Sequence, residues 1–345
     1  MNDAMASILK DKFDNPTQRF CAYTVNGAET GSATLNNTPQ WDWTPAPSVG
    51  VRASTCSLPL ALGCKPVLID EQKEWIEPRI TCPEDVSTLE IPDIYEGRTG
   101  HILKEFQAQV DQLDEGSFIK NPDIQSPLGV AELMWDSSFY IALIEEPGAV
   151  HALLDKITEF TIRYIQELQR IAGDRYNPCG FPPVWSCGPG TMVADDSLSL
   201  ISPEMHAEFS VPYINRIGMA AGPLYYHSCT WRKAHFESIK QIENVRSYNW
   251  NPGNSDDPVD IFPEFSGRAV LALHLCKDMH RDHDVVQWGY DFPDEVAFFR
   301  HFLDVMEPDT CMYWWFSNVR NKGPILEAIY ALLDERGFTP RAYGL

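Results

Sequence analysis

His227 and Cys229 stand two residues apart, after the apolar run Gly222-Pro223-Leu224-Tyr225-Tyr226 and just before polar Thr230. On a strand, residues i and i+2 face the same side, so the imidazole and the thiol converge on one point. A nitrogen–sulfur pair suits zinc, which needs at least one more protein ligand to be held firmly. Cys276 and Cys311 each lie inside a further strand-like run. The same pair also fits a satisfied core histidine beside a small apolar cysteine.

Other residue types point to the same neighbourhood. Asp195 and Asp196 fall just past a strand–turn, where a carboxylate can orient a ligand or accept a proton. Asp195 fits a loop cap equally well, so Asp196 is the candidate for chemistry. Gln125 precedes the Ser126-Pro127 turn and offers an amide to a substrate. Trp250 with Asn251, and Trp314 beside Trp315, sit near strand ends and are candidates for an aromatic pocket, although aromatics more often fill a core. Cys187 ends another such segment. The run from Cys276 to His283 is rich in titratable groups and reads either as part of the site or as a solvated loop.

The elements that must position these residues alternate. Gly50–Ala53 and Pro66–Ile69 read as short strands, and Gly129–Ile144 reads as a helix. Within Ala149–Ile171, Val150, Leu153, Leu154, Ile157, Phe160, Ile162, Ile165 and Leu168 keep a mostly three-to-four spacing, with Pro147 before and Gly173 after. Ser202-Pro203 opens the helix that leads to the His227 strand. Strand-like stretches follow at Val245–Trp250, Ala269–Cys276 and Thr310–Phe316, with helical ones near Thr230–Gln241, Asp294–Met306 and Pro324–Arg336. Such alternation predicts parallel strands with helical crossovers. A (β/α)8 TIM barrel would gather the strand ends into one site. The expected organisation is an N-terminal arm or lid over 1–48, polar and rich in turn formers, and a catalytic barrel over 49–345.

Composition narrows the partners. The 345 residues carry 27 Lys plus Arg against 49 Asp plus Glu, a formal charge of −22, which repels nucleic acid and anionic membranes. No apolar run approaches a membrane span, and the first fourteen residues lack the apolar core of a signal peptide, so a cytoplasmic protein is expected. Nine cysteines, an odd number in a long chain, read as buried, metal-bound or catalytic thiols rather than disulfides. Nucleophile-elbow, Walker-type, His-Glu-x-x-His and Cys-x-x-Cys patterns do not occur.

The order of motifs resembles the uroporphyrinogen decarboxylase superfamily over roughly residues 50–340. The resemblance is carried by Ser126-Pro127-Leu128-Gly129-Val130-Ala131, by Glu146-Pro147 through Val150-His151, and by Asp195-Asp196-Ser197 through Ser202-Pro203-Glu204-Met205. Phe209, Pro212-Tyr213, Ile217, His227-Ser228-Cys229 and Pro293-Asp294-Glu295-Val296 continue it. That superfamily implies a TIM barrel and two chemistries. One is cofactor-free decarboxylation of the acetate arms of a tetrapyrrole. The other is zinc-dependent methyl transfer between a corrinoid protein and a small acceptor or donor.

His227 and Cys229 match the first two zinc ligands of the methyltransferase branch. By the same resemblance Cys311 is the third, with Cys276 as competitor. Arg52 and Arg79 form no close pair of the kind the decarboxylases use to grip a polycarboxylate. Thr230-Trp231 stands where the family commonly has glycine. The resemblance thus implies a zinc-dependent methyltransferase with methylcobalamin carried by a separate corrinoid protein. A small thiol, pterin or methoxylated aromatic would be the other substrate. A cofactor-free carboxy-lyase and a non-catalytic ligand-binding barrel are the alternatives.

Overall fold

The computed structural model describes residues 21–26, 32–37, 48–69, 74–179, 189–275, 283–307, 310, 312–316, 328–329, 331–332, 335–336 and 341–343. Its strands are β1 (Cys21–Asn26), β2 (Ser32–Asn37), β3 (Ser48–Val49), β4 (Lys65–Leu68), β5 (Glu74–Glu77), β6 (Phe118–Lys120) and β7 (Tyr176–Asn177). They continue as β8 (Thr191–Ala194), β9 (Leu224–Ser228), β10 (Val245–Trp250), β11 (Val270–Leu275), β12 (Met312–Phe316) and β13 (Arg341–Tyr343).

The architecture is α/β. β3, β6 and β7 pair in parallel, as do β8, β9, β10, β11 and β12. The Met192 N–H donates to Pro178 O at 2.9 Å and a Gln125–Ala194 bridge joins the end of the β6 segment to β8, so the two parallel runs are adjacent. Every residue of β8 and β9 is buried, the pattern of parallel strands covered on both faces.

Beyond β12 the order changes. β2 pairs with β12 antiparallel, followed by β1 and β13. Closure into a barrel is not seen among the described residues, because β2 takes the edge of β12 that β3 would need. The N-terminal stretch expected to be irregular therefore carries two strands. Their β-branched and aromatic residues, Tyr23, Thr24, Val25 and Thr34, suit a ladder.

The helix Pro147–Ala172 buries Val150, Leu153, Leu154, Ile157, Phe160, Ile165 and Leu168 on one face. Full burial of an aliphatic side chain of this size stabilises by roughly 1.5–3 kcal/mol. Proline in its first turn and Gly173 at φ 52° beyond its end set the limits that the sequence predicts. Gly129–Ile144 is not one helix but two, Pro127–Met134 and Phe139–Glu145, because the backbone at Trp135 turns extended. The Thr230–Gln241 stretch contains only a 3₁₀ turn and the four-residue helix Phe236–Ile239. Gly50–Ala53 is coil just after β3, and the Pro66–Ile69 region lies in the separate antiparallel pair β4–β5. Ser202 and Asp294 cap the helices they precede through their side chains, as their types predict. The helix expected at Pro324–Arg336 falls largely outside the described residues.

Two glycines set β8 against β9. Gly190 has φ 139°, and a Cβ there would meet Pro223 O at 2.6 Å. Gly222 has φ 98°, with its Cβ position 3.0 Å from Gly190 N. Only glycine permits so close a backbone approach in these conformations. It brings Ala194-Asp195-Asp196 level with His227.

Candidate functional site

The carboxyl ends of β8 and β9 place three possible metal donors together. Ligand atoms of Asp196, His227 and Cys229 all lie within 4.8 Å of one another. His227 Nε2 is 3.4 Å from Cys229 Sγ and 3.6 Å from Asp196 Oδ1. Tetrahedral zinc with bonds of about 2.0–2.3 Å separates its donors by roughly 3.3–3.7 Å, so this nitrogen, sulfur and oxygen set fits the ion. The backbone holds the cluster: the Cys229 N–H donates to Asp196 Oδ1 at 2.6 Å, and the Asp195 N–H to His227 O at 2.7 Å.

The cluster borders a cavity of about 380 Å³ at the ends of β3, β6, β8 and β9. Its described walls include Lys120, Asp123, Gln125, Met192, Asp196 and His227. Burial pushes the Asp123 carboxyl above the usual aspartate range, opposed by the Gln125 amide that donates to Oδ1 at 2.9 Å. Burial also pushes the Cys229 thiol up, to about 12, and the neighbouring Asp196 carboxylate adds to the shift. Without a cation the sulfur keeps its proton; a bound metal would reverse this by favouring thiolate.

Asp195 faces the other way. Its carboxylate is fully buried and meets Ser126 Oγ at 2.6 Å, Ser210 Oγ at 2.9 Å, Tyr226 Oη at 3.2 Å and His206 Nε2 at 2.9 Å. Burial alone would raise its pKa. The hydrogen bond and charge of His206, helped by the two serines, outweigh that and hold it below the ordinary value. Between a loop cap and a functional carboxylate, the geometry makes Asp195 a structural hub and leaves Asp196 in the cavity.

The predicted residues divide clearly. His227, Cys229 and Asp196 come together, and Gln125 lines the same cavity while holding Asp123. Cys311, Cys276 and Cys187 lie outside the described residues, and Trp314 is described only as part of the β12 backbone. Asn251 accepts from the Gly253 N–H and caps a 3₁₀ turn. Trp250 is fully buried in an aromatic core, stacked on Trp231 at 5.1 Å and edge-on to Phe262 at 6.5 Å. Strand alternation is the reason. Tyr248 and Trp250 face the aromatic cluster that includes Phe262 and Phe265, while Asn249 faces His227. Trp231 belongs to the same core and meets Phe265 at 4.8 Å.

Sequence reasoning missed Asp123 and Asn249. Asp123 was legible as a carboxylate in the Asn121-Pro122-Asp123 turn that follows β6. Asn249 was legible only through strand register, one residue before the tryptophan singled out.

Residues 49–174 match the family described as uroporphyrinogen decarboxylase (URO-D). A solved methyltransferase from Methanosarcina mazei superposes with a TM-score of 0.58 at 15% identity, over 84% of this chain and 80% of that one. No curated protein matches the chain significantly. The chain thus resembles the uroporphyrinogen decarboxylase family in sequence over residues 49–174, and a methyltransferase of known structure in fold.

Proposed function

We propose that this protein is a zinc-dependent methyltransferase, moving a methyl group between methylcobalamin on a corrinoid protein and a small thiol, pterin or methoxylated aromatic. The observation that carries the reading is the convergence of His227, Cys229 and Asp196 at the edge of the 380 Å³ cavity. The activity named for the Methanosarcina mazei neighbour agrees with it. We read the parallel strand order as that of a (β/α)8 barrel over 49–345, with β2 paired to its β12 edge. The N-terminal stretch then acts as an arm beside the catalytic domain.

In this reading His227 and Cys229 would hold the zinc, with Cys311 as a second thiolate, Cys276 as its competitor, and Asp196 as a neighbouring carboxylate. Bound zinc supplies Lewis acidity, which makes a thiol nucleophilic or a phenolate a better leaving group at neutral pH. The chain's own groups do the rest. Asp196 accepts a proton or serves as an oxygen ligand. Gln125 fixes Asp123, whose carboxyl lines the cavity and offers a hydrogen-bonding group to the substrate. Lys120 is the one cationic side chain among the described lining residues.

That wall disfavours the other chemistry of the superfamily. A tetrapyrrole with eight carboxylates needs several cations, and Asp123 and Asp196 oppose it here. A cofactor-free carboxy-lyase remains the second reading because the family match over 49–174 carries that description. No helix among the described residues is long and apolar enough to cross a membrane, and the reading places the enzyme in the cytoplasm beside its corrinoid partner.

Incubation of zinc-loaded protein with methylcobalamin and a panel of thiols, pterins and methoxyarenes tests the reading through the visible spectrum of the corrinoid. Demethylation that needs both zinc and His227 supports it. Release of CO₂ from a carboxylated substrate in metal-free protein, with no methyl transfer across the panel, replaces it with the lyase.

A further inference from the structure

His227 is held on its far side by Asn249 of β10. The ring nitrogen Nδ1 meets Asn249 Oδ1, and Asn249 Nδ2 donates to Ala272 O of β11 at 2.5 Å. Both His227 and Asn249 are buried, 5% and 3% exposed, so water does not readily replace either partner. For a neutral imidazole the chain of contacts has one consistent proton assignment. A backbone carbonyl only accepts, so Asn249 must turn its NH₂ towards Ala272. Its carbonyl oxygen then faces the imidazole. An amide oxygen also only accepts, so the neutral His227 ring must carry its proton on Nδ1. Nε2 then carries no proton, and it is Nε2 that faces Cys229 Sγ and Asp196 Oδ1.

We infer that Asn249 is a positioning residue, which locks His227 in the Nδ1–H tautomer and presents the Nε2 lone pair to the cavity as a ready-made donor. The inference extends the metal reading above but concerns the protein's own proton placement. It also ties the site to a third strand. The parallel register sets Asn249 beside both His227 and Ala272, so β9, β10 and β11 must keep alignment for the donor to stay aimed. Hydrogen-bond partners on the far nitrogen fix the orientation and tautomer of ligating histidines, and their loss typically costs about 10–100-fold in metal affinity.

Nitrogen-15 NMR of the imidazole rings, at pH 8 in metal-free protein, reads the tautomer directly, with His227 assigned by its absence in His227→Gln. The account predicts a protonated Nδ1 and an unprotonated Nε2 in the wild type. Asn249→Leu removes the acceptor, and should admit the Nε2–H form and weaken zinc binding by about 10–100-fold. Asn249→Asp keeps the acceptor but sets a carboxylate against Ala272 O. It should therefore lose thermal stability yet retain the Nδ1–H tautomer, and it serves equally if the leucine variant does not fold. A wild-type ring protonated on Nε2, or an unchanged tautomer in Asn249→Leu, overturns the inference. Absence of zinc from a wild type with the expected tautomer would overturn the metal reading instead.

Discussion

Asp195 and Asp196 are neighbours in sequence and opposites in surroundings. The Asp195 side chain has no exposure, accepts hydrogen bonds from the hydroxyls of Ser126, Ser210 and Tyr226 and is met by His206. The Asp196 side chain keeps 43% exposure and looks across the cavity to His227 and Cys229. One carboxylate is saturated by the protein, whereas the other is left with coordination capacity. A single chain step at the end of β8 thus separates the group that holds the scaffold from the group that can bind a ligand. The buried network fixes where the backbone leaves β8, and that exit direction aims Asp196.

If this division holds, substitutions at the two positions fail in different ways. Asp195→Ala leaves His206 and two serine hydroxyls buried without their acceptor. Breaking a buried pair from one side costs about 3–5 kcal/mol, which urea unfolding should register in the metal-free protein. Asp196→Asn should leave unfolding within about 0.5 kcal/mol of the wild type. Its zinc affinity should fall by about 10–100-fold in a competition titration. A stability loss in both variants, or in neither, would break the comparison.

Acid sharpens it. The Asp195 carboxyl titrates below its ordinary value, so its contribution to stability is complete above the unfolded aspartate pKa of about 3.9 and disappears as pH falls through the folded value. Stability measured from pH 6 downwards should show an added decline below about pH 4 that Asp195→Asn lacks. The smallest effect concerns Cys229. A thiol raised to about 12 is almost wholly protonated at pH 8, so chelated protein should alkylate there at least about tenfold more slowly than an unperturbed cysteine. Alkylation at the ordinary rate would mean that Asp196 and burial do not act on the sulfur as described.

How much of this was legible in the sequence depended on whether a local rule governed it. Strand periodicity is local, and it correctly put His227 and Cys229 on one side. The helix from Pro147 announced both of its ends through proline, glycine and apolar spacing. Trp250 failed for a tertiary reason: its type suits a pocket wall, but the register of β10 turns it towards Trp231 and Phe262 and gives the site Asn249. The pairing of β2 with β12 is equally non-local, since no sequence rule says which strand edge a distant hairpin will take. Asp195 and Asp196 could not be told apart until the partners of each, contributed by residues from Ser126 to Tyr226, were assembled.

If His227, Cys229 and Asp196 form a metal centre rather than a polar strand end, the protein should bind zinc as purified. Elemental analysis of anaerobically purified protein, in parallel with His227→Ala, tests it most directly. The account predicts about one zinc per wild-type chain and none in the variant, with both proteins folded by circular dichroism. A wild type that holds no zinc after reconstitution, or a variant that retains it, would contradict the account.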